Sequence, residues 1–234
     1  MPNPYFSFKQ FTVYHNRCAM KVGTDGVLLG AWADVVSARN ILDIGTGSGL
    51  IALMMAQRSN ARIKAIDIDA DAVEQARGNV EMSPWKDRIE VELQDICHFT
   101  SGFLFDVIVS NPPYFINSLK CPDGQRNTAR HTDNLDFENL IASVVRLLHP
   151  KGAFFVIIPT DGKELFLTAA ARYGLYLSHQ TLVHTKPEAD PKRVLLAFEF
   201  SVKKCVTDDL NIELSRHVYS EEYIALTKDF YLKM

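Results

Sequence analysis

The feature that most constrains the fold is an alternation of short apolar runs with amphipathic segments, which begins at residue 40. Apolar runs typical of buried strands cover residues 40–44, 62–68, 88–93, 105–110 and 152–158. Helical periodicity lies between and after them, at residues 49–58, 70–80, 135–148 and 163–173. A parallel sheet covered by helices on both faces produces this pattern. The sequence therefore predicts an α/β fold with a doubly wound sheet.

Both ends of the chain depart from this alternation. Residues 175–184 and 192–202 are strand-like and are joined by a polar stretch with two prolines, which predicts a closing antiparallel hairpin. The first 22 residues alternate apolar and polar side chains and predict a short strand or hairpin. Residues 220–232 predict one helix with Ser220 as its N-cap. We expect a seven-stranded sheet that ends in the antiparallel C-terminal hairpin.

The length of 234 residues favours one domain, at about 150 residues per domain. We expect residues 1–35 to form the N-terminal hairpin and a helix, residues 36–202 a Rossmann-like core, and residues 203–234 a helical tail. The composition, 47% hydrophobic and 23% charged, is that of an ordinary globular protein.

Charge and cysteine content exclude several classes of function. With 25 basic and 28 acidic residues, the net charge of -3 excludes nucleic-acid binding through bulk positive charge but not through a local basic face. The four cysteines include no CxxC pair, so we expect neither a metal site nor a disulfide framework. The apolar runs are far shorter than the roughly 18 residues of a membrane span. We expect a cytoplasmic monomer.

A glycine-rich turn follows the predicted strand 40–44 and consists of Gly45, Thr46, Gly47, Ser48 and Gly49. Such glycines allow either a tight connection or a close approach of the backbone to a ligand at the carboxyl ends of the strands. The spacing is not the dinucleotide GxGxxG, and Asp43 in front of it would repel a pyrophosphate and attract an ammonium group. A nicotinamide-dependent reductase is therefore disfavoured.

Acidic residues end the next two predicted strands. Asp67 and Ile68 lie about twenty residues beyond the glycines, where a carboxylate holds ribose hydroxyls in nucleotide-binding folds. Asp95 and Ile96 end the third strand and are candidates for an adenine amino group. Together with the glycine turn they predict an adenosine-type cofactor. S-adenosylmethionine, with adenine, ribose and an amino acid end, satisfies all three signals.

The tetrapeptide Asn111-Pro112-Pro113-Tyr114 follows the predicted strand 105–110. Two prolines stiffen the loop, and a proline-rich turn capped by Asn is the simplest interpretation of the four residues taken alone. Next to a methyl donor, the side-chain carbonyl of Asn111 and the backbone carbonyl of Pro112 can accept both protons of an NH2 group. Tyr114 can then stack on the ring that carries this group.

These motifs resemble those of the class I methyltransferases, whose first motif is matched by residues 43–49. The Asn-Pro-Pro-Tyr loop resembles that of enzymes that methylate the amino group of adenine, cytosine or guanine, or the amide of glutamine. Segment 6–11, segment 19–32 and residues 129–131 are similar to the bacterial tRNA adenine-N6 methyltransferases that modify the adenine next to the anticodon of a valine tRNA. The block at residues 20–32 could bring Lys21, Thr24 and Asp25 to the same cofactor pocket, and its simpler interpretation is a turn and helix start with Asp25 as a cap.

The resemblance implies a tRNA substrate that is bound through local charge. Its candidate phosphate contacts are Arg126, Arg130, His131, Lys186 and Arg193. Two enzymatic alternatives stay open, a protein glutamine N5-methyltransferase and an rRNA amino-group methyltransferase. The non-enzymatic alternative is an RNA-binding module with a relic cofactor pocket.

Overall fold

A mixed sheet forms the centre of the computed structural model, which describes residues 3–18, 21–113 and 137–233. Before this sheet, β1 (Tyr5–Ser7) and β2 (Thr12–Tyr14) pair as an antiparallel hairpin, as predicted. The strands of the sheet are β3 (Asn40–Ile44), β4 (Arg62–Asp67), β5 (Ile89–Leu93), β6 (Phe105–Ser110), β7 (Leu148–Pro159), β8 (Tyr176–His184), β9 (Arg193–Glu199) and β10 (Val206–Asn211). Their order across the sheet is β10-β8-β9-β7-β6-β3-β4-β5.

The chain reverses its direction of winding between β3 and β6. Strands β3 to β7 run parallel to one another, whereas β9 runs antiparallel to both β7 and β8. The doubly wound sheet and its antiparallel C-terminal hairpin are therefore confirmed. In such sheets, ligands bind beyond the carboxyl ends of the strands at the reversal point.

Helices cover both faces of this sheet. The described helices are α1 (Thr24–Trp32), α2 (Leu50–Arg58), α3 (Ala70–Glu81), α4 (Phe137–Leu147), α5 (Lys163–Arg172) and α6 (Glu221–Thr227). Successive strand residues face opposite cores: Ile41 packs with α1, α2 and α3, and Leu42 packs with α4 and α5. Because both faces of the sheet are buried, the central strands are continuously apolar, and this is why they could be predicted from the sequence.

The sheet has eight described strands instead of the seven predicted, because β10 adds itself in parallel to β8. Among its six residues only Leu210 is buried, so the strand carries no apolar periodicity. Backbone pairing and two side-chain pairs, His179 with Asp208 (2.6 Å) and His184 with Asp209 (2.8 Å), hold it to the sheet. Burial pattern therefore could not predict it.

The prediction of a helical tail over 203–234 is wrong for its first half. After β10 come the short strands β11 (Glu213–Ser215) and β12 (Val218–Tyr219), and only then α6. The predicted N-cap is confirmed, since the Ser220 hydroxyl accepts a hydrogen bond from the Tyr223 amide (3.0 Å). The helix ends at Thr227 and not at residue 232.

The two ends of the described chain meet. Phe8 bridges to Tyr231, and the Lys9 amide donates to the Phe230 carbonyl (2.8 Å). Helix α6 packs against α1. The N-terminal hairpin is thus held by residues from the opposite end of the chain. Among the described helices, none has the length and apolar character needed to span a bilayer.

Candidate functional site

A cavity of about 280 Å³ opens at the carboxyl ends of β3 and β6, and we call it the glycine-turn cavity. It lies at the reversal point of the sheet, where the topology places a ligand site. One wall is the start of α1 and the residues before it, and the other is the turn between β3 and α2. The predicted site residues that line it are Lys21, Thr24, Asp25, Gly45, Thr46, Gly47 and Asn111.

The glycine turn is shaped to admit a ligand. Gly45 and Gly47 have φ angles of 71° and 56°, which L side chains rarely adopt. A Cβ atom added to either would meet no described atom within 4 Å, so both glycines face open space. The amides of Gly45 and Thr46 donate to the Ile66 carbonyl (2.9 and 3.0 Å), which ties the turn to β4. Gly49 lies behind the cavity at the start of α2 and packs on Ala76.

Asp43 lies beneath the turn and is fully buried, so it does not line the cavity as a carboxylate that contacts an ammonium group would. The Thr46 hydroxyl donates to it at 2.6 Å. Burial raises the pKa of Asp43 to about 7, against the opposing effect of the Thr46 hydrogen bond. Asp43 can therefore influence a ligand only indirectly, through its hydrogen bond from Thr46 and through the electrostatic potential of its carboxyl group.

Asp43 makes the stability of the fold depend on pH. Because its pKa is raised in the folded state from an ordinary value of 3.8, the folded chain holds a proton that the unfolded chain releases between pH 4 and 7. Stability is lost as pH rises through this window, by on the order of 4 kcal/mol. The stability of Asp43→Asn relative to the wild type in urea unfolding should therefore increase from pH 4 to 7 and stay constant above pH 7.

A substitution that removes no titratable group supplies the control for this experiment. We expect the difference in unfolding free energy between Val144→Ala and wild type to stay constant with pH. A constant difference for Asp43→Asn as well would contradict the assignment.

Asp67 ends β4 and contacts the turn directly. One carboxylate oxygen accepts a hydrogen bond from the Gly47 amide (2.8 Å), and the other accepts from the Asp69 amide (3.0 Å). The next residue, Ile68, is 68% exposed, which leaves its side chain open to a ligand. Asp67 and Ile68 therefore form a rim beside the glycine-turn cavity.

Asp95 lies one strand further along, after β5. Its carboxylate accepts a hydrogen bond from the Cys97 amide and contacts His98 Nδ1, both at 2.9 Å. Burial alone would raise the pKa of Asp95, but these hydrogen bonds outweigh it and lower the pKa. Ile96 packs its side chain in the core, and its carbonyl accepts a hydrogen bond from Arg146 (3.0 Å). Neither Asp95 nor Ile96 lines the glycine-turn cavity.

The Asn111-Pro112-Pro113 segment leaves β6 beside the turn. Asn111 lines the cavity, Pro112 is buried and Pro113 is exposed. The buried Ser110 hydroxyl donates to the Ile44 carbonyl (3.0 Å) and fixes the end of β6 to the end of β3. This contact brings Asn111 to the glycines, and no local sequence pattern indicates it. Tyr114, Arg126, Arg130 and His131 lie outside the described residues.

An ion pair crosses the rim of the cavity. Arg193 Nε in β9 donates to Asp25 Oδ2 in α1 at 2.8 Å. Arg193 is predicted from the sequence as a tRNA contact, whereas in the structure its guanidinium binds a cavity residue. The pairing joins residues far apart in the sequence, so no local pattern could reveal it. Within the described ranges, no group of three or more His, Cys, Asp or Glu side chains is arranged to hold a metal ion.

Residues 23–165 match the family model of the methyltransferase small domain. A tRNA1(Val) (adenine(37)-N6)-methyltransferase from Phocaeicola vulgatus is 82% identical over the whole of both chains. Two solved methyltransferases show the same fold. A structure described as a predicted O-methyltransferase from Agrobacterium tumefaciens aligns with a TM-score of 0.69 and 22% identity, over 88% of this chain and 96% of its own. A glycopeptide N-methyltransferase complexed with S-adenosylmethionine aligns with a TM-score of 0.57 and 14% identity, over 77% and 100%.

These findings agree with the geometry, which joins a glycine turn and an Asn-Pro-Pro segment in one cavity of a doubly wound sheet. They confirm the resemblance inferred from the sequence. The chain belongs to the tRNA1(Val) (adenine(37)-N6)-methyltransferases, within the methyltransferase small domain family.

Proposed function

We propose that this protein transfers a methyl group from S-adenosylmethionine to the exocyclic N6 amine of adenine 37 in tRNA1(Val). The observation that carries the proposal is that Asn111 and the glycine turn line the same cavity. The substrate is the one that the name of the relative from Phocaeicola vulgatus states.

The residues of the cavity fit S-adenosylmethionine. Gly45 and Gly47 leave the space that a ligand backbone or sulfonium group would occupy. Asp67, beside Gly47, would accept hydrogen bonds from the ribose hydroxyls, with the exposed Ile68 against the adenine and Asp95 at its amino group. Lys21, Thr24 and Asp25 on the opposite wall would hold the amino acid end, whose carboxylate and ammonium groups need partners of both charges.

Catalysis by this chain then rests on orientation. The bound donor supplies an electrophilic methyl group on a sulfonium sulfur. The Asn111 side-chain carbonyl and the Pro112 carbonyl accept hydrogen bonds from the two N6 hydrogens, which points the nitrogen lone pair at that methyl group. As the N–C bond forms, the S–C bond breaks, and the acidified nitrogen loses one proton to water. No general base is required from the protein.

The substrate adenine would reach the cavity from an unstacked anticodon loop, with Tyr114 stacking on its ring. Lys186, which is exposed in the loop between β8 and β9, is a candidate phosphate contact together with Arg126, Arg130 and His131. Arg193 is the fifth candidate phosphate contact, and it would bind a phosphate while it also donates to Asp25. We infer that a monomer acts on tRNA in the cytoplasm.

Two assays test the proposal. Purified protein with labelled S-adenosylmethionine should label tRNA1(Val) and leave the same transcript with guanine at position 37 unlabelled. A release factor offered separately should also stay unlabelled. Mass spectrometry of tRNA nucleosides from cells that lack the gene should show loss of one N6-methyladenosine. Labelling of the release factor alone would overturn the proposal in favour of a glutamine methyltransferase.

A further inference from the structure

A buried amide on α3 connects the two walls of the glycine-turn cavity. Asn79 is 1% exposed and lies on the helix face that packs behind the turn. Its Nδ2 group donates to the Ser48 carbonyl in the turn (2.8 Å) and to the Tyr14 carbonyl at the end of β2 (2.8 Å). Its Oδ1 accepts from the Tyr14 amide (2.9 Å).

These three bonds make Asn79 more than a satisfied core residue. Burying an amide costs free energy unless the amide is hydrogen-bonded. An amide with a purely structural role could meet this need with any nearby donors and acceptors. Asn79 instead pairs with both backbone groups of Tyr14, as the residue of a neighbouring strand would. Because its third bond goes to the glycine turn, one side chain fixes the spacing between β2 and that turn.

The chain that Asn79 holds leads directly to the opposite wall. His15 follows Tyr14, and its Nδ1 accepts a hydrogen bond from the Val22 amide (3.4 Å), while Nε2 donates to the Asn3 carbonyl (3.0 Å). Val22 adjoins Lys21, which lines the cavity, as does Ser48. Asn79 therefore contacts one wall directly and the other through Tyr14 and His15.

A second contact on the same helix face supports this arrangement. Gln75, one turn before Asn79, accepts a hydrogen bond from the Arg17 amide at 3.2 Å. Helix α3 thus holds the segment from Tyr14 to Arg17 at two points. The contact at Gln75 does not reach the glycine turn, which distinguishes it from the contact at Asn79.

We propose that Asn79 is a positioning residue of the methyl-donor site, which sets the width of the glycine-turn cavity by fixing Ser48 relative to the segment that carries Lys21 to Asp25. The inference rests on the proposed function only in that S-adenosylmethionine is the ligand. Loss of the amide releases the two walls from each other but removes none of the side chains that line the cavity.

Asn79→Ala should raise the dissociation constant of S-adenosylmethionine about tenfold in calorimetry and raise the KM for the donor similarly. At saturating donor, kcat should stay within about threefold of wild type. Hydrogen exchange without ligand should become faster at the amides of residues 21–26 and 45–48. Gln75→Ala should speed exchange near Arg17 and leave the turn unchanged.

A variant with matched destabilisation separates positioning from a general loss of stability. Val144→Ala removes two methyl groups from the core on the other face of the sheet and should leave donor affinity unchanged. If Asn79→Ala does not fold, Asn79→Ser carries the test, since its short hydroxyl reaches at most one of the three partners.

Unchanged donor affinity and exchange in the Asn79 variant would overturn the inference. An equal loss of affinity in Val144→Ala would overturn it as well. Binding and exchange are measured without tRNA, so a wild-type protein that binds the donor but leaves tRNA unmethylated would contradict the proposed function alone.

Discussion

Asn111→Ala is expected to lower kcat for methyl transfer to tRNA by about a thousandfold, roughly 4 kcal/mol of transition-state stabilisation. In the proposed mechanism, Asn111 is the acceptor that holds the N6 amine in line with the methyl group, and this orientation is the main source of rate for such a weak nucleophile. The donor dissociation constant should change less than threefold, because the glycine turn and Asp67 remain. Single-turnover transfer and calorimetry measure the two quantities separately.

Asn111→Asp is the matched variant for this experiment. The carboxylate has the size of the amide and still accepts a hydrogen bond from the amine. The Asn111→Asp variant should therefore retain more activity than the alanine variant. Equal activities of the two variants would show that a hydrogen-bond acceptor at position 111 does not determine the rate of methyl transfer. A wild-type rate in Asn111→Ala would remove Asn111 from the mechanism.

Asp67→Ala is expected to raise the dissociation constant of S-adenosylmethionine about a hundredfold, with kcat at saturation within a few-fold of wild type. Hydrogen bonds to a charged acceptor contribute about 1.5–3 kcal/mol each, so losing those to the ribose costs on the order of 3 kcal/mol. The variant also loses the bond from the Gly47 amide. Calorimetric titration of the donor measures the effect.

Two further variants separate the causes. Asp67→Asn keeps an oxygen for the Gly47 amide and should fall between wild type and Asp67→Ala. Asp71→Ala removes the same charge from an exposed position nearby and should leave affinity within about twofold. If Asp71→Ala weakened binding as much as Asp67→Ala, the effect would be long-range charge and the ribose assignment would be wrong.

Local sequence patterns predicted the elements whose burial requires apolar residues at fixed positions. Strands such as Asn40–Ile44 face two cores and are therefore apolar throughout, and the glycines at 45 and 47 are required by their backbone angles. By contrast, β10 exists through backbone pairing at an edge, with one buried residue, and leaves no pattern. It could not be predicted, because the backbone hydrogen bonds that hold β10 to β8 require no particular side chains.

The candidate site divides in the same way. The residues of the glycine turn and Asn111 could be predicted because each belongs to a short motif. The burial of Asp43 beneath the turn depends on the packing of α2 and could not be read from its position before the glycines. The pairing of Asp25 with Arg193 and the bonds from Asn79 to Tyr14 and Ser48 join distant segments, and only the tertiary structure brings them together.

The contact between the two ends of the chain bears on the order of folding during synthesis. Residues 3–18 leave the ribosome before the strands of the core, yet Phe8 and Lys9 bind Tyr231 and Phe230, which emerge after every other element described. The Rossmann-like core can collapse as its strands emerge. The N-terminal hairpin gains its last described partners only when α6 and the turn after it have been made, so its docking waits until residue 231 has emerged.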